Sequence, residues 1–227
     1  MNNNIADNIK RVRENIANAA LASGRDPSSV RLIAASKTQT AESCREAIRG
    51  GVDGLGENKA QELTAKYSEG AYEGSELHFI GSLQRNKINA LTGKAELIQS
   101  VSSFELAAAI AKRAETLGLV QRILLEVNVS GETSKSGASV ESVSELTEQI
   151  SELSGVRLDG FMAMASQTGN ISRQFEKMLR IYLDFTGKGV YNNRYIVLSM
   201  GMSGDYELAV RHGATMVRVG TAIFGAR

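Results

Sequence analysis

The feature that most constrains this chain is an alternation that begins at Arg31 and continues to its last residues. Short apolar runs fall at 31–36, 52–55, 77–80, 96–101, 123–129, 156–163, 195–198 and 216–219. Between them lie helix-forming stretches at 41–49, 58–67, 84–91, 103–117, 139–153, 171–186 and 204–211, with a last one starting near Ala222. Strands that alternate with helices pair in parallel through right-handed crossovers. Eight such units within 227 residues predict an α/β fold, a single (β/α)8 barrel of the TIM type. An open doubly wound sheet stays open as the alternative, because short apolar runs do not fix strand count by period alone. Ahead of the alternation, residues 4–22 place Ile5, Ile9, Val12, Ile16, Ala19 and Ala20 at helical spacing. Ser23-Gly24 ends that helix and Asp26-Pro27 separates it from the first strand. Residues 1–24 are therefore expected to pack as an extra helix on one barrel domain spanning 1–227. With a single proline and no Gly/Ser-rich tract, no linker divides the chain.

Several function classes fall away at once. A net charge of +1, from 26 basic and 25 acidic residues, leaves no electrostatic footprint for nucleic acid or an anionic membrane. No apolar run is long enough to span a bilayer, and the polar start from Met1 to Asp7 does not read as a signal peptide. The single cysteine, Cys44, excludes an internal disulfide and fits a reducing cytosol, so a cytoplasmic location is expected. Cys44, His78 and His212 show no metal-ligand spacing, and no metal is expected.

In such a barrel the chemistry sits at the carboxyl ends of the strands, and the suggestive residues cluster there. Ser36-Lys37-Thr38 follows the first run, Gly56-Glu57-Asn58 the second, and 78–81 spans the end of the third. Asn128 and Ser130 close the fifth, Met162 and Met164 the sixth, Ser199 to Ser203 the seventh, and Arg218 to Thr221 the eighth. The last two are strand, glycine turn and helix start. Free N–H groups and the helix dipole make that arrangement an anion site, and glycine lets a phosphate approach the main chain. Lys37, at the end of a buried strand, is expected to be partly desolvated, with a lowered pKa suited to Schiff-base chemistry; a solvated strand-end lysine is the alternative. A lysine opposite a phosphate grip is what pyridoxal 5'-phosphate requires.

Arg218 precedes Gly220-Thr221 by two residues and would point to the same face, toward a pyridine nitrogen; pairing with a rim carboxylate is the other reading. Ser199 and Ser203 offer hydroxyls to the phosphate or cap the helix near Asp205, and Asn58 reaches the ring or caps its own helix. Met162, Met164, Met200 and Met202 read as packing, and His78 as a satisfied strand-end histidine. Lys135 and Gly137 form a rim loop without a catalytic role.

These motifs have a familiar order: Ala35-Ser-Lys-Thr38, Gly56-Glu-Asn58 with Gln61-Glu62, His78-Phe-Ile-Gly81 with Leu83-Gln84 and Asn86-Lys87, Ser134-Lys-Ser-Gly137, Leu198-Ser-Met-Gly-Met-Ser203, then 216–227. From about Arg31 onward the chain resembles the pyridoxal phosphate homeostasis protein family. The resemblance implies a barrel like the amino-terminal domain of alanine racemase, with the cofactor on Lys37. It implies phosphate contacts from Ser199 and its neighbours, Gly201 among them, and from Gly220 and Thr221. Asn58 would approach the cofactor and Arg218 its ring nitrogen. Such proteins resemble carriers or regulators of free pyridoxal phosphate that influence amino-acid and keto-acid metabolism. No catalytic residue is implied, and apo-enzymes that use the cofactor are the candidate protein partners of an expected monomer. Lys59-Ala60 departs from the aromatic or aliphatic pair more usual after Gly-Glu-Asn, which affects contacts at the second loop only.

Two other readings stay in play. A small amino-acid racemase would need an acid/base on each face of the substrate carbon. The larger racemases take their second base from an additional domain that is not expected here. A barrel enzyme acting on a sugar phosphate would use the same phosphate grip, with Glu57 or Glu126 as its carboxylate.

Overall fold

The computed structural model describes residues 4–132, 135–166, 169–187 and 196–225. Tyr195, Ser134, Ala226 and Arg227, which the sequence motifs include, lie outside them. Eight strands follow in chain order: β1 (Arg31–Ala35), β2 (Gly54–Glu57), β3 (Glu76–Phe79), β4 (Leu97–Val101), β5 (Gln121–Glu126), β6 (Val156–Met162), β7 (Val197–Ser199) and β8 (Met216–Val219). They close in sequence order into a barrel, every pair parallel, with β8 returning to β1. The open sheet is thereby excluded. The helices are α1 (Ile5–Ala22), α2 (Ala41–Arg49), α3 (Ala60–Ser68), α4 (Ile88–Leu91), α5 (Phe104–Thr116), α6 (Val143–Ser151), α7 (Ile171–Gly187), α8 (Tyr206–Arg211) and α9 (Thr221–Phe224).

The extra helix forms for reasons written in its sequence. Asn4 caps it by accepting the N–H groups of Ala6 and Asp7, and Gly24 leaves it at a φ of 68°. Its buried face is the predicted one, Ile5, Ile9, Val12, Ile16, Ala19 and Ala20. Each fully buried isoleucine there contributes about 1.5–3 kcal/mol. Asn8 and Arg25 tie the helix and its exit to the end of the chain, through the carbonyls of Ile223, Val210 and Ala214. None of the helices described is long and apolar enough to cross a membrane.

Two apolar compartments result. One lies between strands and helices; the other, inside the barrel, gathers Ile33, Leu97, Leu124, Met162, Val197 and Met216. Period-two alternation places charged residues at the amino-terminal floor of the barrel. There Arg31 pairs with Glu76 at 3.0 Å and Arg122 with Asp159 at 2.6 Å.

Strand β2 is displaced from its predicted position, 52–55, to Gly54–Glu57. Asp53 is drawn instead to Arg13 at 2.7 Å and to the Leu32 N–H at 2.6 Å. Gly54 and Gly56 belong in the strand because Ile33 and Ile80 occupy the space their side chains would take: an added Cβ would sit 3.0 Å and 2.9 Å from those side chains. Strand β5 stops at Glu126, short of the predicted end at 129. The chain folds back there, with Asn128 N–H donating to Ala138 O at 2.9 Å and the Asn128 amide donating to Glu132 O at 2.8 Å.

Candidate functional site

Lys37 leaves β1 at the carboxyl end of the barrel. It is exposed, and its amine has no hydrogen-bond or ion-pair partner among the described residues. The expectation of a partly desolvated amine is thus corrected: β1 ends at Ala35, and Lys37 lies beyond the wall in the loop toward α2. What that loop provides is a fixed backbone. Thr38 adopts a φ of 66°, which a β-branched residue takes only when its surroundings enforce it. Its N–H is held by the Glu62 carboxylate. On the other side of Lys37, the Ser36 carbonyl accepts Lys66 Nζ at 2.8 Å.

Lys66 belongs to a buried cluster between the barrel wall and α3. Its ammonium also donates to Glu57 at 2.9 Å and Glu62 at 2.8 Å. Glu57 Oε1 further accepts Ser36 Oγ at 2.6 Å and Tyr72 OH at 3.2 Å. Burial pushes the Glu57 carboxyl up, against the hydrogen bonds of Ser36 and Lys66. Burial works against the Lys66 charge too, but its bonds to Glu62 and Glu57 outweigh it and raise its pKa. Glu57 is therefore committed to this cluster and does not serve as a free carboxylate at the mouth.

Arg218, on β8, is 3% exposed and points into the barrel. Its guanidinium donates to Ser199 Oγ at 2.6 Å and Ala163 O at 3.0 Å. No carboxylate lies within ion-pair distance among the described residues, so the reading of Arg218 as half of a rim ion pair is corrected. Burial lowers its pKa to about 10, offset in part by the charges of Glu126 and Asp205; it stays protonated at neutral pH. Glu126 is pushed up by burial and accepts Ser136 Oγ at 2.6 Å.

Ser199, expected at the phosphate, is placed elsewhere. Its hydroxyl lies in the barrel between Arg218 and Gln99 Oε1, the latter at 2.7 Å. The hydroxyl that reaches the phosphate turns is Ser203. It accepts the N–H groups of Gly220 at 3.1 Å and Ala222 at 3.2 Å, joining the two predicted turns into one cradle. Ser203 therefore caps α9, not α8 as the sequence suggested. The main-chain N–H groups of Gly201, Ser203, Gly204 and Thr221 have no partner among the described residues. Gly201 is fixed as glycine by a φ of 95° and by Ala209 Cβ, 2.6 Å from where its own Cβ would stand.

Asn58 does not cap α3; the cap position is Lys59, without a side-chain bond. The Asn58 amide has no partner among the described residues, and its backbone rests on Gly81, where a Cβ would fall 2.1 Å from Asn58 O. Met162 and Met200 are buried core residues, as expected. His78 is buried with both ring nitrogens bonded, to Glu76 at 3.0 Å and Gln99 at 2.8 Å. Among the described residues no group of three or more His, Cys, Asp or Glu side chains could hold a metal. Sequence reasoning missed Gln99 and Lys66. A long amide side chain inside the buried stretch Leu97–Val101, next to Ser100, was the available signal for Gln99.

The comparisons with known proteins agree with this fold. A family model described as alanine racemase, N-terminal domain, matches residues 3–227. The pyridoxal phosphate homeostasis protein of Pseudomonas aeruginosa is 39% identical over 226 residues, covering 98% of this chain and 96% of the relative. That of Aquifex aeolicus is 40% identical over 226 residues, covering 99% of each. Among solved structures, PipY of Synechococcus elongatus with PLP bound superposes with a TM-score of 0.77 at 32% identity, over 94% of this chain and 100% of that one. Alanine racemase of Clostridium difficile gives 0.75 at 16% identity over 97% of this chain and 56% of its own, a likeness of fold alone.

Proposed function

We propose, since the chain belongs to the pyridoxal phosphate homeostasis protein family and carries the alanine racemase N-terminal domain, that its barrel mouth binds pyridoxal 5'-phosphate and holds it without turnover. The observation that carries this reading is a single seam. β1 and β8 are neighbours, with Ile33 beside Arg218 and Ala34 beside Val219. The free Lys37 amine, the buried guanidinium and the Gly220–Thr221 turn therefore leave two adjacent strands at one end of the barrel.

The residues fit the cofactor's three handles. When bound, pyridoxal phosphate supplies a reactive aldehyde, an electron-accepting ring and an anionic phosphate. Lys37 would hold the aldehyde as a Schiff base, its nitrogen losing both protons to the departing oxygen as water. The N–H groups of Gly201, Ser203, Gly204 and Thr221, with the Ser203 hydroxyl between the turns, form an anion nest. Arg218 would face the ring nitrogen and, being a donor only, keep it unprotonated. The Asn58 amide completes the rim.

The same site argues for holding over catalysis. A racemase requires an acid/base on each face of the substrate carbon. Among the described residues Glu57 is committed to Lys66, Glu126 to Ser136, and His78 to the barrel interior. The relatives named for pyridoxal phosphate homeostasis are matched over 96% and 99% of their length. A cytoplasmic monomer that passes the cofactor to apo-enzymes completes the proposal; the buried free thiol of Cys44 suits a reducing compartment.

The test is an absorbance titration of the purified protein with pyridoxal phosphate, beside Lys37→Ala. A yellow species that forms in the wild type and is absent from the variant supports the reading. A protein that stays colourless overturns it and favours the sugar-phosphate alternative. Steady turnover of alanine that depends on Lys37 would overturn the non-catalytic part.

A further inference from the structure

The interior of the barrel contains a second polar structure that the binding site does not account for. Arg218, Ser199, Gln99, His78 and Glu76 come from β8, β7, β4 and β3 and are linked by consecutive hydrogen bonds of 2.6, 2.7, 2.8 and 3.0 Å. Ser199, Gln99 and His78 are fully buried. We infer that they form a one-way hydrogen-bond relay through the barrel core, running from the guanidinium at the mouth to the ion cluster at the floor, and that Gln99 and His78 are positioning residues for Arg218. The inference rests on the reading that Arg218 faces the cofactor ring.

The direction follows from donor and acceptor inventory. A guanidinium has donors only, so Ser199 Oγ must accept from it. The single hydroxyl proton of Ser199 then goes to Gln99, which fixes the carbonyl end of that amide toward Ser199. The two N–H groups of Gln99 face His78 Nδ1 and the Met216 sulfur, the latter at 3.3 Å. Nδ1 must therefore be the acceptor nitrogen of a neutral imidazole, and its proton sits on Nε2. Nε2–H donates to Glu76, which remains ionised at the floor beside Arg31 at 3.0 Å and Arg122 at 3.9 Å. The far end fixes the sense of the whole chain: turning the Gln99 amide around would put the proton of the neutral ring on Nδ1 and leave Nε2 an acceptor facing the Glu76 carboxylate.

The arrangement explains how a guanidinium can be buried inside a barrel without a paired carboxylate. Its acceptor is oriented by a chain of neutral dipoles that ends on a charge held by two arginines. Polar chains in a low-dielectric interior reinforce one another along their length. The guanidinium is thereby aimed while its charge stays available to a ligand.

The relay is tested first on the purified protein without added cofactor, by the long-range proton–nitrogen NMR correlations of the His78 ring. Wild type should show the neutral tautomer protonated at Nε2. Gln99→Leu should change the His78 signature, and loaded with pyridoxal phosphate it should bind about tenfold more weakly, the scale of one hydrogen bond to a charged group. Gln99→Glu sharpens the test, because a carboxylate cannot donate to Nδ1. His78 should then carry a proton on Nδ1, with an altered absorbance spectrum of the bound cofactor. Ser199→Ala, which leaves the His78–Gln99 link in place, should shift that spectrum with the His78 signature unchanged, and serves if Gln99→Leu does not fold. A His78 ring protonated at Nδ1 in the wild type, or a bound-cofactor spectrum indifferent to all three substitutions, overturns the relay. Wild type with the Nε2 tautomer but no binding of pyridoxal phosphate overturns the reading of the site instead, and supports the hydrogen-bond chain as drawn.

Discussion

Two buried basic residues flank the mouth of this barrel, and they are partnered in opposite ways. Lys66, behind the wall of β1 and β2, contacts two carboxylates at 2.8 and 2.9 Å. Arg218, inside the barrel, contacts a serine hydroxyl and a backbone carbonyl. The first arrangement closes on itself. Its ammonium is paired with carboxylates inside the cluster, and its effect on the site is mechanical: Lys66 grips the Ser36 carbonyl and Glu62 the Thr38 N–H, so Lys37 is held from both sides. The second stays electrically open, since neutral acceptors orient a cation without cancelling it. One cluster fixes a loop, and the other offers a charge.

The largest difference between the two is expected in stability. Lys66→Met leaves the Glu57 carboxylate buried and uncompensated, and should cost about 3–5 kcal/mol in chemical denaturation. Arg218→Met removes the buried cation and leaves only neutral acceptors behind. It should cost about 1–2 kcal/mol by the same measurement while weakening cofactor binding severely. Equal losses in the two variants would erase the distinction.

A smaller effect concerns the floor of the relay. The hydrogen bond from His78, followed by the charge of Arg31, lowers the Glu76 pKa from 4.5 to about 2. For a carboxylate with a depressed folded pKa, the stabilisation is fully present above about pH 4.5 and is lost as pH falls toward about 2. Glu76→Gln should therefore flatten that segment of the acid-unfolding curve, and partial exposure of the carboxylate keeps the amplitude modest. An unchanged curve would detach Glu76 from the chain. The smallest expected change is for Tyr72→Phe, which removes one of three donors to Glu57 and should cost about 1 kcal/mol in the melting transition, with cofactor binding untouched.

Much of this molecule was legible in its sequence because local rules and tertiary demands agree. Strand β8 and helix α2 occupy the predicted residues, and the apolar face of α1 is the one its spacing describes. Strand β2 was not legible at its true position: its two glycines carry no β signal, and only their fit against Ile33 and Ile80 makes the strand possible. At the site, Lys37 and the Gly220–Thr221 turn could be found because each follows closely on a strand with a local signature. Lys66 could not, since Glu62 and Lys66 at i, i+4 read as an ordinary exposed helix pair. The relay was invisible for another reason. Its members come from four strands, and only closure of the barrel brings Gln99 and Ser199 together across 100 positions of sequence.

Lys37, held by its two neighbours, is the proposed carrier of the cofactor. Reducing the pyridoxal phosphate complex with borohydride and mapping the adduct by peptide mass spectrometry decides the point. One phosphopyridoxyl group is expected, on Lys37, lost in Lys37→Ala. Reduction that leaves Lys37 unmodified and labels another lysine would contradict it.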